Sequence, residues 1–244
     1  MYVTVIGEWG GCCRAGGCCS GYVVRDGATS LLLDCGSGVA GRVQEVCPLT
    51  ELDHVVISHW HADHCGDAGT LLHGRLIHMV MGMAERPLEF YALPREPDLG
   101  RLEHPPHAHA HIVDEGAVLQ IGALTCEFMR TRHATDCLAT RVRDAAGRTF
   151  VYTADGALTD ELVAFCRGAD LVVAECSLYA GYDGAGPGHM NAHDAGDLGR
   201  LAQPRRLVLS HLPIYGDVDE LLRAARTRWD GPVELARSLA TYSL

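Results

Sequence analysis

The chain has 244 residues, 48% of them hydrophobic, and a formal net charge of −11, which is enough length and apolar content to bury the core of one two-sheet domain. All 20 basic residues are arginine, lysine being absent, and an acidic chain of this kind argues against a sequence-independent grip on long nucleic acid or on an anionic membrane. No apolar run reaches bilayer-spanning length, the start lacks a secretion signal, and the 11 cysteines read as reduced thiols. The expectation is a soluble, cytoplasmic protein with a small-molecule substrate.

Met1 to Gly7 alternates like a strand. A glycine-rich loop follows, Gly10 to Cys19, carrying the vicinal pairs Cys12-Cys13 and Cys18-Cys19. Their spacing does not match C-x-x-C zinc sites, so two readings stay open: a thiol cluster that handles sulfur or a soft metal, or small apolar side chains packing a tight loop. Ser20 to Val24 and Ser30 to Asp34 are strands joined through Asp26-Gly27, a favourable hairpin turn. Asp34 to Gly38 breaks the second strand, and Val39 to Val46 has the pattern of a short helix.

The apolar run Val55-Val56-Ile57 then delivers Ser58-His59-Trp60-His61-Ala62-Asp63-His64. Three imidazoles and a carboxylate at the mouth of one buried strand are costly unless a metal satisfies them. His59 and His61 can point at one ion, with Asp63 and His64 reaching a second beside it.

Gly69 to Val80 has helical spacing, with His73 and His78 as packing or surface residues, and Leu88 to Ala92 is a strand ended by Pro94. In His104 to His111, the residues His107, His109 and His111 would share a face if extended. No carboxylate accompanies them in sequence, which favours a solvated edge or loop over a metal site.

Three more ionisable residues each follow an apolar run. His133 comes after Leu124 to Met129, Asp155 after Thr149 to Thr153, and His211 after Arg206 to Ser210. Between them lie a helix over Leu158 to Arg167, a strand over Leu171 to Cys176, a glycine-rich Tyr179 to Gly188 placed where a mobile lid could sit, and a helix running to Ala202. A helix over Val218 to Arg228 and a last strand near Val233 to Leu235 end the pattern.

The spacing H-x-H-x-D-H, with further ligands at three later strand ends, resembles the metallo-β-lactamase fold superfamily. That resemblance implies an α/β chain folded as a four-layer αβ/βα sandwich, one domain over residues 1–244, with two metals in a cleft between the sheets. It assigns His59, His61 and His133 to one metal and Asp63, His64 and His211 to the other, with Asp155 bridging. It also makes Asp34 a buried support of the metal loops, a role that competes with a plain turn residue, and places the loop after the first strand beside the cleft. The segment from Gly188 to Gly196 resembles the ribonuclease Z-like, small-molecule branch, which implies a cleft-facing catalytic role for His189 and leaves His193 on a helix surface.

Imidazole and carboxylate donors suit two Zn²⁺, with Mn²⁺ or iron as other occupants of the same donors. His61, where redox di-iron relatives carry glutamate, favours zinc hydrolysis. A pair of such ions lowers the pKa of a shared water toward neutrality and so makes a hydroxide nucleophile. The expected function is hydrolysis of a small or cyclic phosphodiester, with Asp63 and His189 as catalytic residues. The alternatives are a lactone, thioester or other acyl hydrolase, and a sulfur-handling protein built on Cys12, Cys13, Cys18 and Cys19. Ribonuclease Z relatives imply a long basic RNA-holding arm, and no such insertion is present. Dimers are common in the superfamily, and a homodimer stays open.

Overall fold

A computed structural model describes residues 1–95 and 97–244. In chain order the elements are β1 (Tyr2–Gly7), β2 (Gly21–Asp26), β3 (Thr29–Leu33), α1 (Val39–Arg42), β4 (His54–Ile57), α2 (Ala62–Cys65), α3 (Ala68–Val80), β5 (Leu88–Ala92) and β6 (Ala108–Ile112). They continue with β7 (Val118–Ile121), β8 (Leu124–Arg130), β9 (Leu138–Arg143), β10 (Thr149–Tyr152), α4 (Asp160–Cys166), β11 (Leu171–Glu175), α5 (Ala192–Ala202), β12 (Leu207–Ser210), α6 (Asp219–Arg226), β13 (Val233–Leu235) and β14 (Thr241–Ser243).

Among the described residues the strands form two seven-stranded sheets, ordered β14-β1-β2-β3-β4-β5-β6 and β13-β12-β11-β10-β9-β8-β7. In the first, β3 to β6 run parallel; in the second, β10 to β13 do. Strand periodicity explains the layers. In β3, Leu31 and Leu33 point into an inter-sheet core with Val5, Tyr22, Phe128, Phe150, Tyr152 and Val173, while Leu32 points the other way against Val39, Val43, Leu71 and Leu72. The outer face of the second sheet packs Val151, Val172 and Leu207 against Leu162, Leu198, Leu221 and Trp229. Helices therefore cover both outer faces, giving the expected αβ/βα sandwich.

The parallel halves decide where chemistry sits. Asp34, Ser58, Asp155, Cys176 and His211 each follow the C-terminal end of a parallel or neighbouring strand, β3, β4, β10, β11 and β12, so their side chains gather at one rim, where open α/β sheets place ligands. Among the described residues no helix is long and apolar enough to cross a membrane. One detail departs from the sequence expectations: the Val39 to Val46 helix is one α turn followed by a 3₁₀ turn at Val43–Glu45. His109 and His111 lie in β6, the edge strand of the first sheet, which is the edge half of the edge-or-loop expectation.

Candidate metal centre

Asp34 opens the site. It is buried, its φ is +59°, and its Oδ1 accepts the Ser58 backbone N–H at 2.7 Å. Its Oδ2 accepts the Ser58 hydroxyl at 2.8 Å, Tyr152 at 2.7 Å and His64 Nδ1–H at 2.7 Å. Because the Ser58 hydroxyl proton is committed to Asp34, Ser58 Oγ can only accept from His59 Nδ1, 3.0 Å away. Both imidazoles are thereby held in the tautomer whose Nε2 carries a lone pair.

A second buried carboxylate does the same across the cleft. Glu175 Oε2 accepts the Ser177 hydroxyl at 2.5 Å, so Ser177 Oγ accepts from His211 Nδ1 at 2.8 Å. Glu175 Oε1 accepts His189 Nδ1–H at 2.9 Å and the Gly156 N–H at 2.9 Å, beside Asp155. His133 Nδ1 donates to the Gly188 carbonyl at 2.9 Å. Four histidines, His59, His64, His133 and His211, thus turn an Nε2 lone pair inward, each through a partner able only to accept.

The inward atoms form two sets. His59 Nε2 and His133 Nε2 lie 2.9 and 3.4 Å from His61 Nδ1, and 3.7 and 3.8 Å from Asp155 Oδ2. Asp63 Oδ2 lies 3.4 Å from His64 Nε2 and 3.1 Å from His211 Nε2, and both nitrogens are 3.3 Å from Asp155 Oδ1. A tetrahedral ion with bonds of about 2.0–2.2 Å separates its ligands by about 3.3–3.6 Å, so these spacings are those of donors around a common centre. The buried His64 Nε2 and Asp155 Oδ1 have no hydrogen-bond partner; they aim at a shared point and not at each other. The residues present therefore fit a pair of divalent ions, with Asp155 offering one oxygen to each set. The sequence-selected residues His59, His61, Asp63, His64, His133, Asp155 and His211 are all brought together, and their donor atoms cluster within 4.8 Å in each set.

The electrostatics agree. Burial, reinforced by His64, pushes His59 down to about 2, and burial with His133 pushes His61 down, so both present neutral imidazole at pH 7. Burial alone would raise Asp63 and Asp155, but the His211 and His64 imidazoles beside them hold both carboxyls below the usual range. Against their own burial, His64 is raised by Asp155 and Asp34, and His211 by Asp155 and Asp63. Positive charge is demanded between these groups, whether protons on imidazole or metal cations supply it.

The first loop closes the rim. Gly11 N–H donates to Asp63 Oδ2 at 2.6 Å and Gly10 N–H to the Leu212 carbonyl at 3.0 Å. A Cβ at Gly10 would lie 2.4 Å from the His211 ring, so only glycine permits this approach. Cys12 is exposed at the cleft, whereas Cys18 and Cys19 are buried, and every cysteine is free. Burial, with Cys13 beside it, pushes Cys19 up to about 12, which keeps it an unreactive thiol; packing is the role its surroundings describe. No cysteine belongs to a metal-competent cluster among the described residues.

Sequence reasoning missed Glu175 and Ser177 altogether. The available signal was a glutamate ending the apolar run of β11, the same mark that identified the ligands. His189 does face the centre, its ring 4.9 Å from that of His133 and 5.9 Å from that of His211. The Tyr179 to Gly188 segment is anchored: Gly184 accepts His189 N–H at 2.7 Å, Tyr182 accepts Asn191 Nδ2 at 2.9 Å, and Gly188 packs on His133. His193 sits in the first turn of α5, away from the cluster. The histidines of β6 do have carboxylate partners, contrary to expectation, because Glu89 lies 2.5 Å from His111 and Glu103 lies 3.4 Å from His109. These partners come from β5 and the 3₁₀ turn after it, and the pairs are exposed ion pairs outside any metal-competent cluster among the described residues.

The family profile described as Beta-lactamase superfamily domain matches residues 29–212. The chain belongs to the beta-lactamase superfamily. It is similar to the probable metallo-hydrolase YhfI of Bacillus subtilis, with 37% identity over 98% of each chain. The crystal structure of YhfI superposes with a TM-score of 0.95 at 36% identity, covering 99% of this chain and 98% of that one. Ribonuclease Z of Salinispora arenicola is 25% identical over 92% of this chain and 90% of its own. A diphosphatase of the PhnP family shares the fold, with a TM-score of 0.74 at 15% identity over 100% and 97% of the two chains. This superfamily member is a hydrolase, and its histidine and aspartate cluster could hold a divalent metal.

Proposed function

We propose that this protein is a binuclear, zinc-dependent phosphodiesterase acting on a small or cyclic phosphodiester. The observation that carries the proposal is Asp155: its two oxygens face two separate donor sets, a carboxylate placed to bridge. Support for phosphoester chemistry comes from similarity to proteins named ribonuclease Z and diphosphatase. His59, His61 and His133 would hold one ion and Asp63, His64 and His211 the other. When bound, such ions supply Lewis acidity toward a phosphoryl oxygen and bring the pKa of water toward neutrality.

The protein's own side chains perform the remaining work. Asp63 Oδ2 accepts the Gly11 N–H and belongs to the donor set with His64 and His211, so Oδ1 is the oxygen that takes a proton from attacking water. Burial would lower His189, but Glu175, which accepts its Nδ1–H at 2.9 Å, raises it, which favours the protonated ring that a general acid at the leaving oxygen needs. Glu175 is a positioning residue that fixes the direction of that ring.

Two outcomes check this. Zinc-loaded protein should turn over bis-p-nitrophenyl phosphate and lose that activity in Asp63→Asn; inactivity on phosphodiesters alongside turnover of esters or thioesters would replace the proposal by acyl hydrolysis. In His189→Ala, turnover should fall by roughly 10²–10⁴-fold, the usual contribution of a general acid, while the bound metal measured by elemental analysis stays unchanged. Unaltered turnover would remove His189 from the chemistry.

A further inference from the structure

Beside His189, His211 and Ser177 opens a cleft of about 380 Å³ whose walls include Cys12, Leu178, Pro213, Ile214 and Tyr215, with the first-loop glycines at its edge. Among the described residues lining it there is no arginine, aspartate or glutamate. Ile214 and Tyr215 leave 46% and 54% of their surface exposed, an open apolar wall next to a polar centre, as ligand clefts commonly have.

This wall is preformed. Arg14 reaches from the first loop to donate through Nε to the Ile214 carbonyl at 3.0 Å and through Nη2 to the Gly216 carbonyl at 3.0 Å. Its guanidinium stacks 4.5 Å over Trp9. Tyr179 donates to the Tyr215 carbonyl at 2.7 Å. Three consecutive carbonyls are thus pinned, and the Arg14 guanidinium is spent holding backbone instead of meeting a ligand.

Resting on the phosphodiesterase reading above, we infer that this cleft receives an uncharged aryl or alkyl leaving group, and that Ile214 and Tyr215 set the preference. In the reaction, water oxygen bonds to phosphorus and the ester bond to the leaving oxygen breaks. One water proton is taken up at Asp63, and His189 delivers one proton to the departing oxygen, so water and diester become monoester and alcohol. An oxygen within reach of His189 carries its substituent into the apolar cleft. A carboxylate or phosphate on that substituent would lose water against Ile214, Tyr215 and Leu178 with no arginine on the wall to replace it, His189 being engaged by Glu175 and the departing oxygen, whereas an apolar group gains by burial.

The test compares methyl 4-nitrophenyl phosphate with methyl 3-carboxy-4-nitrophenyl phosphate, whose leaving phenols have comparable acidity, on the zinc-loaded full chain. KM should be at least about tenfold lower for the uncharged phenol with kcat within about threefold, since ground-state and transition-state binding are lost together. Tyr215→Ala should raise KM for the uncharged diester by roughly 5–10-fold, in the range of a lost apolar contact, and leave the carboxylated one unmoved; Ile214→Arg should narrow or reverse the preference. Equilibrium dialysis of 4-nitrophenol with metal-free protein gives an independent readout, with binding weakened in Tyr215→Ala. Equal KM values for the two diesters, or 4-nitrophenol binding indifferent to Tyr215→Ala, would overturn the inference. Absence of turnover for both diesters with 4-nitrophenol binding lost in Tyr215→Ala would support the apolar cleft and sink the phosphodiesterase reading instead.

Discussion

An Asp155→Asn variant is expected to retain at most one divalent ion per chain and to lose more activity than the roughly 10–100-fold that removal of an outer hydrogen-bond partner costs. Asp155 Oδ1 stands 3.3 Å from both His64 Nε2 and His211 Nε2, and Oδ2 stands 3.7 and 3.8 Å from His59 Nε2 and His133 Nε2. Asparagine keeps one of these oxygens and turns the other into an NH₂ that has nothing to donate to but metal-binding lone pairs. One donor set then loses both its negative charge and its geometry, and the remaining aspartate, Asp63, serves only its own set. The fold should survive, because Asp155 is nearly isosteric with asparagine and the backbone carbonyl of residue 155 still accepts from Thr131 at 2.5 Å. Elemental analysis with kcat/KM on bis-p-nitrophenyl phosphate reads the result. A full metal complement with activity within tenfold of the parent would show that Asp155 does not bridge.

Asp34→Asn should be nearly as damaging, by a different route. Asparagine tolerates the left-handed backbone at this position better than most residues, so the +59° φ is not the source. The source is that Asp34 Oδ2 accepts from Ser58 Oγ, Tyr152 and His64 together. An NH₂ there faces three donors. If Ser58 turns its hydroxyl to accept from the amide, it then has its proton free for His59 Nδ1, and His59 shifts to the tautomer with N–H pointing into the cluster; His64 is pushed the same way. The expected cost is about 3–5 kcal/mol of stability for breaking a buried charged network, a fall in Tm on the order of 10 °C for a chain of this length. Metal affinity should weaken by roughly 10–100-fold as well. Thermal melts of the metal-free protein isolate the first effect, and competition with a zinc chelator measures the second. Affinity within about twofold of the parent would mean that something other than Asp34 orients His64.

The damage from such a residue explains how the molecule could be read from its sequence and where that reading stopped. The ligands were legible because each is a polar group at the mouth of an apolar strand, a local contradiction visible without any fold. Their supports were less so. Asp34 entered only through the family resemblance and Glu175 was passed over as a strand residue, because their partners lie far off: Asp34 meets Ser58, His64 and Tyr152 across 24, 30 and 118 positions, and Glu175 meets His189 and Gly156 across 14 and 19. Long strands buried on both faces, such as β3 and β11, stood out as apolar runs. β7 and β14 did not, since β7 buries one residue fully and β14 is three residues long with only Tyr242 buried. The carboxylate partners of the β6 histidines were half visible: Glu103 directly precedes the histidine segment and meets His109 across 6 positions, whereas Glu89 lies 22 positions from His111 and reaches it only through strand pairing. The paired cysteines drew notice by their number, yet burial in a glycine loop accounts for Cys18 and Cys19.

The tautomers imposed by Asp34 and Glu175 have one purpose, to keep imidazole lone pairs turned toward cations. The most direct check is the zinc content of protein dialysed against trace zinc and then freed of excess. Two ions per chain in the parent, with one lost when His61 and His133 are both replaced by alanine and the other lost when Asp63 and His211 are, is the result the proposed binuclear centre predicts. A parent protein that binds no transition metal under those conditions would contradict it.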